Sequence, residues 1–230
     1  MPIDTYKSQK RGGKGITGIA TRAEDFVKKI FIASTHDTIL FFSNKGKLYK
    51  LRGYEIPEAG RTAKGTAIVN LLSLDPGEKV SAVIPIQNFA DDKYLLMATK
   101  NGLIKKTSLK EYDSNRKTGL QGITLKEDDE LIGVRLTDGQ DNVVLVTRNG
   151  MCITFDEKDV RPMGRTAQGV IGIRLDEEDS VIGMESIIEG NKNATLLAIT
   201  ENGFGKRTEL EEYRVQTRGG KGVITYKITP

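Results

Sequence analysis

Hydrophobic and polar positions alternate in blocks along this chain: short apolar runs, each broken by a polar turn that holds a glycine. Four segments share one grammar, an apolar β-rich run ending in Ser or Thr, two polar residues, a glycine, then a second short run. They begin at Thr38, Tyr94, Val143 and Thr195 and reach their glycines at Gly46, Gly102, Gly150 and Gly203. The spacings between these glycines are 56, 48 and 53 residues. Three of the four turns carry Asn-Gly, a pair that accepts positive φ, so each segment predicts a β-hairpin with a primed turn.

A second element recurs out of phase with the hairpins: Lys14-Gly-Ile-Thr, Lys64-Gly-Thr-Ala, Gln121-Gly-Ile-Thr, Gln168-Gly-Val-Ile and Lys221-Gly-Val-Ile, each opening another strand. Between the two elements lies an acidic turn and an apolar run, at Glu24-Asp25, Glu78, Asp129 and Asp179. Each unit therefore offers about four strands in about 50 residues, the size of a propeller blade. No segment keeps a helical period. The expected fold is a single all-β domain over residues 1–230, a ring of four-stranded blades. Its repeats run over about 9–60, 61–115, 116–164 and 165–215, with a partial fifth over 216–230. A fifth unit that stops at Pro230 implies either a ring left open or, the favoured reading, a piece of a longer chain.

Composition narrows the class. The chain is 37% hydrophobic and 29% charged with mean hydropathy −0.36, and it has no apolar run near the ~18 residues of a membrane helix. Its first residues lack the basic-then-apolar layout of a signal peptide. The one cysteine, Cys152, excludes an internal disulfide, suits a reducing cytoplasm, and sits in a strand-like run as core filling. Net charge is only +4, but residues 1–65 hold 13 Lys and Arg against 6 Asp and Glu. A polyanion would be drawn to that end first, although lysines also protect exposed strand edges.

The head of the first unit reads Gln9-Lys10-Arg11-Gly12-Gly13-Lys14-Gly15. This heptapeptide resembles the "gyrase A box", Gln-Arg-Arg-Gly-Gly-Arg/Lys-Gly, with Lys10 as a departure that keeps the charge. A near copy, Gln216-Thr-Arg-Gly-Gly-Lys-Gly222, opens the fifth unit with Thr217 in place of a cation. The resemblance to the C-terminal, DNA-wrapping domain of the gyrase A subunit of bacterial type IIA topoisomerases continues in Thr35-His36-Asp37, Ile68-Val-Asn-Leu-Leu, Asn101-Gly-Leu-Ile-Lys-Lys-Thr107 and Asn202-Gly-Phe-Gly-Lys-Arg-Thr208. It implies a six-bladed β-pinwheel, of which this chain would supply four to five blades. It also implies non-sequence-specific wrapping of duplex DNA, in an A2B2 holoenzyme with gyrase B, to support ATP-dependent negative supercoiling.

The chemistry of the box stands without the family. Glycines let a backbone approach a phosphate closely, and three cations within five positions neutralise phosphates and release counterions. Cations also recur at fixed offsets. Arg11, Arg61, Arg165 and Arg218 stand four residues before the repeat glycine, and Lys50, Lys106 and Arg207 stand four after the hairpin glycine, with Lys105 and Lys206 beside two of them. Lys45, Lys47, Lys64 and Lys221 complete the candidate DNA-binding set. The third unit fails both tests, with Thr118 and Thr154 at those offsets, and is expected to grip DNA least.

Other chemistries are poorly served. Gly13-Lys-Gly-Ile-Thr-Gly18 matches G-x-G-x-x-G but reads as a strand where a helix is required. His36 is the only histidine, which removes histidine-based metal clusters and makes a hydrolase triad implausible. The runs Glu127–Glu130 and Asp176–Asp179 could hold a hard cation but read as solvated turns. The chain is expected to carry no catalytic site, metal or cofactor, with ATP and Mg2+ bound elsewhere in the holoenzyme, and to be a cytoplasmic, nucleoid-associated monomer when isolated. Two alternatives stay open: the equivalent domain of topoisomerase IV, which usually lacks an intact box, and a propeller scaffold for acidic proteins.

Overall fold

The computed structural model describes all residues except 2–4, 6–7, 9, 17, 20, 22–25, 28, 117–118, 189–193 and 229–230. Its strands are β1 (Thr38–Ser43), β2 (Lys47–Arg52), β3 (Val80–Ile86), β4 (Tyr94–Thr99), β5 (Leu103–Ser108), β6 (Leu120–Gln121), β7 (Leu131–Thr137), β8 (Asn142–Thr147), β9 (Met151–Asp156), β10 (Val170–Ile171), β11 (Val181–Ile187), β12 (Thr195–Ile199), β13 (Gly205–Glu209) and β14 (Val223–Ile224). Among the described residues the only helices are 3-10 turns of three or four residues. The all-β expectation therefore holds.

The hairpins β1–β2, β4–β5, β8–β9 and β12–β13 form where the repeat glycines predict them. Their turns are not the primed two-residue kind. In each, the glycine N–H donates to the carbonyl three residues back (Ser43, Thr99, Thr147, Thr200), and only the glycine takes positive φ, at 72, 83, 80 and 82°. This is a three-residue loop closing on a left-handed glycine. The Ser or Thr that ends each apolar run has its own role. Its hydroxyl accepts the N–H of the residue after the glycine, at 3.2 Å in the first three hairpins and 3.1 Å in the fourth.

Each blade is assembled from three successive sequence units. The first four-stranded sheet has the order β3-β1-β2-β6, the second β7-β4-β5-β10 and the third β11-β8-β9-β14. The hairpin comes from one unit, one flanking strand from the next, and the two-residue closing strand from the unit after that. The flanking strands β3, β7 and β11 neighbour one another and form the inner edge, so β6, β10 and β14 lie on the outer edge. The fourth hairpin, β12–β13, is a two-stranded sheet among the described residues.

The closing strand is held by the hairpin glycine. The Gly46 carbonyl accepts N–H bonds from Gly122 and Ile123 (2.8 and 3.2 Å), Gly102 from Gly172 and Ile173 (2.8 and 3.2 Å), and Gly150 from Thr225 and Tyr226 (2.9 and 3.2 Å). The approach is so close that a Cβ at Gly46 would stand 2.8 Å from the Ile123 carbonyl oxygen, and one at Gly102 would stand 2.7 Å from that of Ile173.

Hydrophobic cores lie between blades. Leu40, Phe42, Leu48 and Ile84 of the first pack on Leu95, Met97, Leu131 and Val134 of the second, and Tyr112 meets Phe42 edge-on at 6.1 Å. Leu96, Ala98 and Ile104 on the opposite face pack on Val143, Leu145, Ile153 and Phe155 of the third. Because β1 is buried on both faces, it reads as the continuous run Thr38-Ile-Leu-Phe-Phe-Ser43 rather than an alternating one. Cys152 is buried in the third blade, where burial pushes its thiol up to about 12.

Gly150→Ala and Gly203→Ala separate the two demands on a hairpin glycine. Both forfeit the left-handed conformation, at about 1–2 kcal/mol. Only Gly150→Ala drives a methyl into the Tyr226 carbonyl, whereas Gly203 faces open space. Denaturant unfolding should show Gly150→Ala costing about 1–3 kcal/mol more than Gly203→Ala. Equal losses would mean that the close approach contributes nothing.

Candidate nucleic-acid interface

The outer edge of the arc is made by the glycine loops that open the third, fourth and fifth units. A left-handed glycine precedes each closing strand: Gly119 (φ 64°) before β6, Gly169 (97°) before β10 and Gly222 (80°) before β14. Gly15 (74°) and Gly65 (73°) have the same conformation in the first two units. Strand register fixes the equivalence. Leu120 pairs with Leu48, Val170 with Ile104 and Val223 with Cys152. Each acceptor stands two residues past its hairpin glycine.

This register corrects the alignment of the third unit. Its repeat glycine is Gly119 rather than Gly122, which corresponds instead to Gly172. Four residues before Gly119 stands Asn115, and exposed Arg116 follows it. Thr118, read as the substitute for an arginine, is not at that offset and lies outside the described residues. At the corrected offset Asn115 still supplies no charge, so the third unit keeps its difference from the others, with exposed Arg116 one position away.

Successive loops are stitched to one another. Arg165 donates from Nη1 to the Gln121 carbonyl at 2.7 Å, and Arg218 from Nη1 to Ile171 at 3.0 Å and from Nε to Asp159 at 2.9 Å. The Gly219 N–H donates to Gly172 at 2.7 Å and the Arg174 N–H to Gly220 at 2.9 Å. At the amino-terminal end, Met1 and Thr5 line a shallow pocket with Glu58, Ala59, Gly60 and Arg61.

The candidate cations divide by where their charge points. Lys10, Arg11 and Lys14 are exposed together with Gly12, Gly13 and Gly15, and among the described residues none of the three forms an ion pair. Gly12 is left-handed (φ 82°), and Gly13 N–H closes a turn on the Lys10 carbonyl at 3.1 Å. Gln9 lies outside the described residues. Lys45, Lys64, Lys206 and Arg207 are exposed and Arg61 half-buried. Lys47 pairs with Asp75, and Lys221 with Asp176 at 2.5 Å.

Lys50, Lys105 and Lys106 point inward, which removes them from an exposed track. Lys50 Nζ donates to the Tyr112 (3.2 Å) and Ser114 carbonyls and stands 5.4 Å above the Phe89 ring. Lys105 is fully buried and donates to the Gly122 carbonyl at 2.6 Å and to that of Arg165. Lys106 donates to the Glu157 carbonyl at 3.1 Å, with the Glu157 carboxylate at 3.8 Å and the Tyr94 ring 5.3 Å away. Burial holds all three ammonium groups below the ordinary lysine value. The fixed offset that suggested a rim position marks instead a strand position that pins loops of neighbouring units. Thr154 takes that position in the third hairpin and is also buried.

The acidic turns are occupied structurally. Asp129 Oδ1 accepts the N–H groups of Asn101 and Glu130, both at 2.9 Å, and Asp179 Oδ1 those of Asn149 and Ser180, at 3.0 and 2.8 Å. Among the described residues no group of three or more His, Cys, Asp or Glu is placed to hold a metal. His36 lies in the turn closed by Asp37 N–H on the Ser34 carbonyl at 3.1 Å. Sequence reasoning missed Arg174, an exposed cation beyond β10; it becomes visible only once the units are aligned on the left-handed glycine.

Burial with a guanidinium nearby lowers the Lys105 ammonium to about 7. The unfolded chain therefore binds the proton more tightly than the folded one, and stability from this group rises with pH between about 7 and 10.5. Lys105→Met should flatten the rise in Tm between pH 7 and 9.5, and an unchanged pH profile would contradict this account.

A family model described as DNA gyrase C-terminal domain, beta-propeller, matches residues 1–34, 37–87, 93–138, 141–188 and 194–230. The DNA gyrase A protein of Clostridium acetobutylicum is 56% identical over 226 residues, 98% of this chain and 27% of that protein. That of Staphylococcus aureus is 44% identical over 230 residues, 100% of this chain and 26% of that protein. The chain thus spans about a quarter of the length of these relatives. Among solved structures, the C-terminal domain of a DNA topoisomerase IV superposes with a TM-score of 0.77 at 37% identity, covering 83% of this chain and 58% of that one. A DNA gyrase A C-terminal domain superposes at 0.72 and 27% identity, covering 96% and 71%.

Proposed function

The chain belongs to the DNA gyrase C-terminal domain family, and from that premise we propose that it binds and wraps duplex DNA without sequence specificity along its outer edge. The observation that carries this reading is the exposed loop Lys10–Gly15. Three cations without ion-pair partners among the described residues flank glycines whose bare backbone admits a phosphate at close range. Among the described residues no helix is long enough to enter a groove, so contacts run to the phosphates and position the duplex rather than read it.

Glycine loops that return once per unit on the outer strands offer phosphate contacts at one radius. Bending DNA around such an edge costs on the order of 1–6 kcal/mol per 20–30 base pairs, offset by the contacts that the bend adds. The track comprises Lys10, Arg11, Lys14, Lys64 and Arg174, with Lys45 and Lys221 beside it; Lys50, Lys105 and Lys106 hold the blades that carry it, and Lys206 and Arg207 occupy the matching strand positions of β13.

The same reading places the chain within a gyrase A polypeptide, partnered by gyrase B in an A2B2 assembly acting on cytoplasmic, nucleoid-associated DNA. There it contributes binding, and strand cleavage, ATP and Mg2+ belong to other parts of the holoenzyme. The likeness to a topoisomerase IV domain favours a second reading as that enzyme's equivalent. The box at Gln9–Gly15 favours gyrase.

The test is topological. The chain is incubated with nicked plasmid at low salt, the nick is sealed, and the linking number is compared with that of a protein-free control. A shift that Lys10→Ala/Arg11→Ala/Lys14→Ala abolishes is the expected result, with affinity falling steeply between 50 and 200 mM salt. A plasmid left unshifted with no binding of short duplexes at low salt would reject DNA as the ligand.

A further inference from the structure

The second copy of the cationic glycine loop repeats the left-handed glycines of the first and has its cations engaged by the preceding units. In Gln216–Gly222, Gly219 (φ 79°) and Gly222 (80°) reproduce Gly12 (82°) and Gly15 (74°). Thr217 supplies no charge, and the Arg218 guanidinium is spent on the Asp159 and Ile171 carbonyls. The remaining cation, Lys221, is the counterpart of Lys14. It donates to Asp176 Oδ1 at 2.5 Å, with the two side chains 67% and 65% exposed. Exposure is the telling feature, because the pair stands in solvent where a phosphate can reach it.

We propose that Asp176 is a latch on this second loop: a carboxylate that occupies the phosphate position beside Lys221, so that duplex DNA engages there only by exchanging its phosphate for the carboxylate. The inference rests on the DNA-binding reading above and adds a control to it: Gln216–Gly222 is a conditional contact whose strength Asp176 sets. An acid is not required by the fold at this place. Asp176 lies four residues after Gly172, and the corresponding position after Gly122 is Lys126, of opposite charge. An exposed ion pair is weak enough to open, which makes it suited to exchange rather than to holding the blades together.

The experiment is a double-mutant cycle on the full chain, with a short duplex as probe and Kd measured from 50 to 200 mM salt. Asp176→Asn should tighten binding about three- to five-fold at 50 mM and steepen the salt slope by about one phosphate contact. In a Lys221→Ala background the same substitution should change nothing. Glu177→Gln removes an equal charge from the neighbouring exposed position and should have a smaller effect. If Asp176→Asn leaves affinity and slope unchanged, or its gain persists without Lys221 or is matched by Glu177→Gln, the latch is overturned while DNA binding stands. If the unsubstituted chain binds no duplex at 50 mM salt, the DNA reading and the latch fall together.

Discussion

A carbonyl oxygen that accepts two N–H groups at once holds this molecule together. At Gly46, Gly102 and Gly150 the hairpin turn offers that oxygen to a strand from two units further along, and only glycine lets the backbones meet so closely. The remaining features follow. The closing strand stays two residues long because its anchor is the turn and not a long ladder. The glycine loop before it is forced to the outer edge. Arg165 and Arg218 then find the carbonyls of the previous closing strand within reach. Position on the rim is thus a consequence of how the blades lock.

Much of this was legible in the chain. Continuous apolar runs ending in Ser or Thr mark the hairpin strands, and the terminal hydroxyl proves to be a turn acceptor. The turn type was misjudged because Asn-Gly suits both a primed turn and a three-residue loop, and only the second leaves Asn101 or Asn149 with negative φ. Spatial assembly was less legible. Repeats of about 50 residues suggested self-contained blades, yet nothing local says that Leu120 pairs with Leu48 rather than with a strand of its own unit.

Which cations stand exposed is only partly legible in the sequence, for a definite physical reason. Period alone cannot distinguish a cation returning to a rim from one returning to a strand position that faces a neighbouring blade. Lys50 and Lys106 keep their period and point inward, where carbonyls and an aromatic ring replace water around the ammonium. The glycine pattern was the more reliable guide, but a unit with two glycines three residues apart, Gly119 and Gly122, is ambiguous until φ is known. Left-handed backbone at Gly119 resolves it.

The delayed closing strand also governs the order in which the molecule can be built. Lys47–Leu48 wait for Leu120–Gln121, about seventy residues downstream, and Cys152 waits about as long for Val223. Closing so long a loop costs entropy before any bond rewards it, and contacts this distant in sequence slow folding. As the chain leaves the ribosome, two units must always stand unfinished behind the growing end, their outer edges bare. Maturation therefore sweeps from the first blade to the last, and a break late in the chain undoes blades whose own residues are all present.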